Sequence, residues 1–272
     1  MIKQVERTVT VQKEKKDEKK RWTAGVLAAI VLFGALSAVY ISGVRSAEVV
    51  ARKRELPIYS VERGDNAISI SFDAAWGGDK TLKILDILEE YDVKTTFFLV
   101  DIWTRRFPDL VKEIAERGHE IGNHSTTHPQ MSKLGNEKIR QELRQMSDNV
   151  EKITGARPVL FRPPYGDYNN DVVLTARAEG YEVIQWSVDS LDWKNRGAQD
   201  LISRATKNVH SGDIVLFHND SQYILDALPE ILKSYREQGL TVVPISHLLL
   251  SGETTIDAQG RQRPAARTVP EV

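Results

Sequence analysis

The 272-residue chain contains no cysteine. Disulfides and thiolate metal sites are therefore excluded, and any bound metal must be held by His, Asp or Glu. Charge of one sign is lacking too: 37 Lys and Arg against 38 Asp and Glu give a formal net charge of −1. No basic excess points to nucleic acid as a partner. Long apolar runs are absent with one exception, residues 22–44, "WTAGVLAAIVLFGALSAVYISGV", which hold 23 positions without a charge. About 20 apolar residues span a bilayer as a helix, whereas the apolar part of a cleavable signal is roughly 7–15. The run predicts a retained transmembrane helix. The alternative is a cleaved signal, for which "ALSA" and "VRSA" supply small residues. Lys13, Lys15, Lys16, Lys19, Lys20 and Arg21 precede the run, and Arg45, Arg52, Lys53 and Arg54 follow it. The denser positive flank predicts a cytoplasmic N-terminus at a cell membrane and an extracytoplasmic remainder.

The expected organisation is a basic cytoplasmic tail at 1–21, the anchor at 22–44, a linker at 45–64, a domain at 65–250 and a disordered tail at 251–272. That last segment has few large apolar groups with which to order itself. No internal repeat is present. Length suits one domain of roughly 150–250 residues with extras.

Within 65–250, seven short apolar runs predict strands at 67–72, 95–100, 120–123, 159–161, 182–186, 213–217 and 240–245. Stretches with helical spacing lie between most of them. "TLKILDILEEY" puts Leu82, Leu85, Leu88 and Tyr91 on one stripe. "PDLVKEIAERG" opens with Pro108 and closes at Gly118, as helices do. Strand alternating with helix predicts an α/β fold with a parallel sheet. About seven units in this length predict a small (β/α) barrel of about seven parallel strands, with an open doubly wound sheet as the alternative.

Either architecture gathers chemistry at the C-terminal ends of its strands. Asp73, His124, Arg162, Asp189 and His218 each follow a predicted strand, so five strand ends carry a charged or titratable side chain. "HSTTH" sets His124 and His128 at i and i+4, which on a helical turn would align two imidazoles for one metal. Their other reading is a pair of surface or capping histidines. In "RPPYGDYN" two prolines stiffen the loop after Arg162, which suits a residue that must hold a carboxylate or simply a structural ion pair. "WSVDSLDWK" offers Asp189, Asp192 and Trp193, the aspartates serving either the site or helix caps. His218 in "IVLFHND" is a packed core histidine or, opposite an aspartate, a general acid. His119, His210 and His247 are expected to be structural.

In this order and spacing, "SFDAAWG", "HSTTH", "RPPYG", "DSLDW" and "LFH" resemble the motifs of the NodB-homology polysaccharide deacetylases, carbohydrate esterase family 4. The anchor and the "FDAAWG" form resemble the membrane-anchored, sporulation-type branch. The resemblance implies a distorted (β/α) barrel. It also implies metal-dependent hydrolytic removal of N-acetyl groups from peptidoglycan or a related cell-wall glycan. It makes Asp73 the general base, with His124 and His128 as ligands to a divalent metal such as zinc. Arg162 would hold Asp73, and the Tyr165 backbone amide would bind the oxyanion. Asp192 would tune His218, the general acid, while Trp193 and Leu216 would line the acetyl pocket.

One position departs from that pattern. The family's usual first motif has two adjacent aspartates, base then metal ligand, and here the second position is Ala74. An alanine methyl coordinates nothing. Asp79 is the nearest carboxylate that could replace it, and Trp76 is expected to pack on the barrel rim or on a sugar ring. Three functions follow. The first is an anchored glycan de-N-acetylase. The second, which Ala74 favours, is a catalytically impaired glycan-binding protein on the same fold. The third is a hydrolase of another carbon–nitrogen bond such as a cyclic amide, against which the anchor argues.

Overall fold

The computed structural model describes residues 54–265 and, before them, Lys20, Trp22 and residues 30–34. The expected anchor lies for most of its length outside the described residues. Among the described residues no helix is long and apolar enough to cross a membrane. A compact unit begins at Arg54.

The strands are β1 (Ser60–Val61), β2 (Ala67–Ala74), β3 (Thr96–Leu99), β4 (Glu120–Asn123), β5 (Leu160–Phe161), β6 (Glu182–Val183), β7 (Val188–Asp189), β8 (Ile214–His218), β9 (Thr241–Val242), β10 (Thr254–Ile256) and β11 (Arg261–Pro264). Seven of them lie in one row, β6-β5-β4-β3-β2-β8-β7, with β9 also paired to β2. Every pairing in this row is parallel. Among the described residues no ladder joins β6 to β7, so the row is an incompletely closed α/β barrel. Each predicted strand run overlaps one of these strands, with β2 and β8 running past the predicted ends, and β7 is additional.

Helices return the chain between strands, among them Thr81–Glu90, Pro108–Glu116, Asn136–Thr154, Asn170–Ala178, Ala198–Thr206 and Ile224–Glu237. Pro108 opens its helix, and Gly155 ends the long one in the left-handed conformation at φ 77°.

The central strand, β2, reads "AISISFDA" and is buried at every position. Its alternation sorts side chains by face. Ile68, Ile70, Phe72 and Ala74 enter the largest apolar core together with Ile84, Leu85 and Leu88 of the following helix. Full burial of a side chain such as Phe72 contributes about 1.5–3 kcal/mol. Ser69, Ser71 and Asp73 alternate with them, and Ser71 Oγ donates to the Val215 carbonyl at 3.1 Å.

Two expectations about the domain's edges are corrected. Part of the expected linker is β1, and part of the expected disordered tail is β10 and β11. The three make a second sheet in which β11 runs parallel to β1 and antiparallel to β10. The strand β11 reads "RQRP" and has no apolar alternation to announce it. Its order comes from Gln262, which is buried and accepts the Leu250 N–H at Oε1 over 2.8 Å.

Candidate active site

The parallel row brings five predicted residues to one edge. Asp73 and His218 are direct register partners on β2 and β8. Asp189 ends β7, His124 directly follows β4, and Arg162 directly follows β5. A cleft of about 680 Å³ opens there, with Asp73, His124, His128, His218, Tyr165 and Trp193 on its walls.

Asp73 is buried and held on both sides. Its Oδ1 accepts from the Arg162 guanidinium at 2.7 Å, and its Oδ2 lies 3.5 Å from His124 Nε2. Burial alone would raise the carboxyl's pKa. The charges of Arg162, His124 and His218 and the Arg162 hydrogen bond outweigh it, so the pKa lies below the usual carboxylate value.

Arg162 is fully buried, and the chain meets its charge from several directions. Its Nη1 also donates to Ser71 Oγ at 2.8 Å, and its Nη2 donates to the Gln185 carbonyl at 3.1 Å. The Phe98 ring lies 4.2 Å from its Cζ, close enough for a cation–π contact.

The two histidines of "HSTTH" come together through a loop, not the helical turn expected. Ser125 and His128 both have positive φ, 71° and 58°, and the ring centroids are 5.0 Å apart. Glu142 fixes this strained loop. Its carboxylate accepts the backbone N–H groups of Thr126 at 3.0 Å and Thr127 at 2.8 Å, and the Thr127 hydroxyl at 2.9 Å. His124 Nδ1 lies 2.7 Å from the Arg162 carbonyl. A carbonyl only accepts, so Nδ1 carries the proton and Nε2 presents a lone pair. Burial pushes His124 below the usual imidazole pKa, and burial with repulsion from His124 pushes His128 down to about 4. Both rings are therefore neutral at pH 7.

His218 is treated differently. Its Nδ1 is 2.7 Å from Asp192 Oδ1, and its backbone N–H donates to Asp192 Oδ2 at 2.7 Å. Burial would lower its pKa. The hydrogen bond and charge of Asp192, with help from Asp73, reverse this and raise it above the ordinary value.

Comparison with known proteins identifies the family. The polysaccharide deacetylase family model matches residues 60–184. A peptidoglycan-N-acetylglucosamine deacetylase of Bacillus cereus is 37% identical over 196 residues, covering 70% of this chain and 92% of its own length. The chain belongs to the polysaccharide deacetylase family. A wild-type protein of Bacillus anthracis, described as a pseudoenzyme of the CE4 family, superposes with a TM-score of 0.68 at 34% identity, over 71% of this chain and 68% of its own. A mutant of that protein, described as having restored enzymatic activity, gives 0.68 at 35% identity, over 71% and 70%.

Against the family's pattern, the position of Ala74 is explicit. Its methyl is fully buried in the apolar core with Phe72 and Leu99. Asp79 does not take over: among the described residues no group of three or more His, Cys, Asp or Glu converges as a metal site. Asp79 Oδ1 instead sits near Gly77, beside Asp220. The donors present fit two positions of a divalent cation. Both imidazoles are neutral, His124 is oriented through its other nitrogen as metal-bound histidines are, and His128 Nδ1 is buried without a hydrogen-bond partner.

Sequence reasoning reached Asp73, His124, His128, Asp189 and His218 on this wall, but not Lys80 or Asp220. It missed Ser71, Gln185, Phe98 and Glu142, which hold the others. Ser71 was findable, because it lies two residues before Asp73 on the same face of an alternating strand.

Proposed function

We propose that the chain removes N-acetyl groups from a cell-wall glycan, with peptidoglycan as the substrate class. One observation carries this reading. Asp73 and His218, neighbours in register, are each held by a buried partner of their own, Arg162 and Asp192, on the wall of one cleft. A structural role would need neither the second carboxylate nor the second cation. The Bacillus cereus relative, a peptidoglycan deacetylase by name, supports the substrate class.

In this mechanism Arg162 occupies Asp73 Oδ1, leaving Oδ2 to take the proton of an attacking water. Arg162 also keeps the carboxyl ionised, so that it is a base at neutral pH. Asp192 fixes the tautomer of His218 and favours its protonated form. His218 then gives that proton to the departing sugar amine, a poor leaving group without it. The Tyr165 backbone N–H binds the oxyanion of the tetrahedral intermediate. Trp193 and Leu216 bound the acetyl group. His124 and His128 would hold a divalent cation, zinc in this reading, which when bound polarises an amide carbonyl and lowers the pKa of water. The charge-free run 22–44 supports an anchor that keeps the domain beside the wall, with its N-terminus in the cytoplasm.

A second reading is favoured by Ala74 and by the likeness to a pseudoenzyme: glycan binding without turnover. Acetate release from peptidoglycan separates the two. The deacetylase reading expects release by the wild type and a loss of about 10²-fold or more in Asp73→Asn, the scale of general-base catalysis. Glycan binding with no acetate from the wild type, but acetate from Ala74→Asp, would establish the second reading.

A further inference from the structure

Glu142 is 2% exposed and is not on the cleft wall. A glutamate is almost never buried so fully unless it is paired. The nearest ammonium, Lys138 Nζ, lies 3.8 Å from Oε1 and is itself half exposed. The close partners of Glu142 all belong to the loop between His124 and His128. Oε2 accepts the N–H groups of Thr126 and Thr127, and Oε1 accepts the Thr127 hydroxyl. The Glu142 backbone carbonyl accepts the Thr126 hydroxyl at 2.8 Å. One helical residue thus receives four hydrogen bonds from two consecutive loop residues. A surface turn does not need that much buried polar support to fold.

The two histidines are secured differently. The His124 ring is held by its own hydrogen bond to the Arg162 carbonyl. Among the described residues the His128 ring has no such bond, since its Nδ1 is buried without a partner. Its other neighbours are the rings of Trp76 and Tyr165, both exposed. The place of His128 is therefore set through its backbone, which is left-handed at φ 58° and costs a residue with a Cβ energy to hold. Inside the loop, Asn123 Oδ1 accepts the Ser125 N–H at 2.8 Å and Ser125 Oγ accepts the His128 N–H at 3.0 Å. Those bonds shape the turn, and Glu142 ties it to the long helix. A loop ordered in advance spares a ligand the cost of ordering it. That saving matters more where Ala74 leaves two side-chain donors for a cation.

We propose that Glu142 is a positioning residue for His128: by holding Thr126 and Thr127 it presets the two imidazoles and so governs the affinity of the chain for a divalent cation. This rests on the cation reading above, but it concerns binding and not turnover. The test titrates the metal-free full chain with zinc, with circular dichroism to establish folding and the thermal midpoint. Wild type is expected to bind zinc. Glu142→Leu should bind it about 10–100-fold more weakly, the scale on which groups that orient metal ligands act. Glu142→Gln should keep most of the affinity, because its Oε1 can still accept both N–H groups while its Nε2 donates to the Thr127 hydroxyl. Thr127→Val loses one bond of the set and should fall between the two. Val150→Ala is a truncation in the same helix, in the apolar core. It should lower the midpoint yet bind zinc as wild type does. Should Glu142→Leu fail to fold, Thr127→Val against Val150→Ala decides on the same terms. No zinc binding by wild type, or wild-type affinity in folded Glu142→Leu or in Thr127→Val, would overturn the proposal. An equal loss in Val150→Ala would overturn it too, by tracing the effect to general loosening. Acetate is measured separately: the expected zinc affinities without acetate release from peptidoglycan would sink the deacetylase reading and leave this role of Glu142 standing.

Discussion

At the scale of single residues, the two carboxylates of the site carry opposite instructions. Arg162 holds Asp73 ionised, while Asp192 raises the pKa of His218 against its own burial. The sign of the His218 contribution follows from linkage. A histidine whose folded pKa lies above its unfolded value, about 6.5, adds stability that is fully present below 6.5 and is lost as pH rises through the folded value. Removing the charge in Asp192→Asn should therefore lower the thermal midpoint most near pH 5 to 6, with the gap to wild type narrowing on the alkaline side of neutrality. The alkaline limb of any acetate-release profile should move to lower pH in the same variant, and a limb that stays in place would remove Asp192 from that role. These ionisable residues were legible in the sequence because their types are chemically scarce at strand ends. Ser71 and Glu142 were not, since a serine in an alternating strand or a glutamate on an amphipathic helix has a bland reading. Only the fold shows that Glu142 reaches back to Thr126 and Thr127.

At the scale of elements, three adjacent strands meet in one register line. Asp73 on β2 is opposite Phe98 on β3, which is opposite Gly122 on β4. The glycine leaves room for the Phe98 ring, and the ring in turn packs against Arg162. A Cβ at Gly122 would clash with Cδ1 and Cε1 of the Phe98 ring. Gly122→Ala must push that ring toward the buried guanidinium. Overpacking of this kind costs about 1–3 kcal/mol, and the same shift should disturb the Arg162–Asp73 contact. Denaturant unfolding should show the loss, and adding Phe98→Leu should return part of it. Unaltered stability in Gly122→Ala would mean the ring moves freely and does not brace the site. The strands themselves were legible because period-2 alternation and buried apolar runs survive in short segments. The "HSTTH" turn was misread as helical, because residue spacing alone does not reveal two left-handed residues. The i, i+4 pair converges all the same.

At the scale of the whole described domain, the barrel row is tied by a sheet made from its two ends. The β1 and β11 ladder places Val61 opposite Gln262, and the backbone adds Tyr59 N–H to the Gly260 carbonyl and Glu62 N–H to the Gln262 carbonyl, both at 2.8 Å. Arg263 joins the two ends again, 3.2 Å from Glu62 and 2.8 Å from Asp257. None of this showed in composition, because β11 is polar and its partner lies about 200 residues away in the chain. Pairing of that range leaves no local periodicity to read. The sheet closes the edge where β1 enters, and Val61 is buried beneath it. Ending the chain at Leu250 should therefore expose Val61 and strip two backbone hydrogen bonds from the residues before β2, a loss of about 3 kcal/mol. The truncated protein should melt several degrees lower and become open to proteolysis between residues 54 and 65. A disordered tail would be removable at no cost, so an unchanged midpoint and an uncut N-terminal segment would restore that reading. The expected fall in midpoint would instead make the C-terminal strands part of the domain that carries the cleft, holding in place the β2 strand from which Asp73 projects.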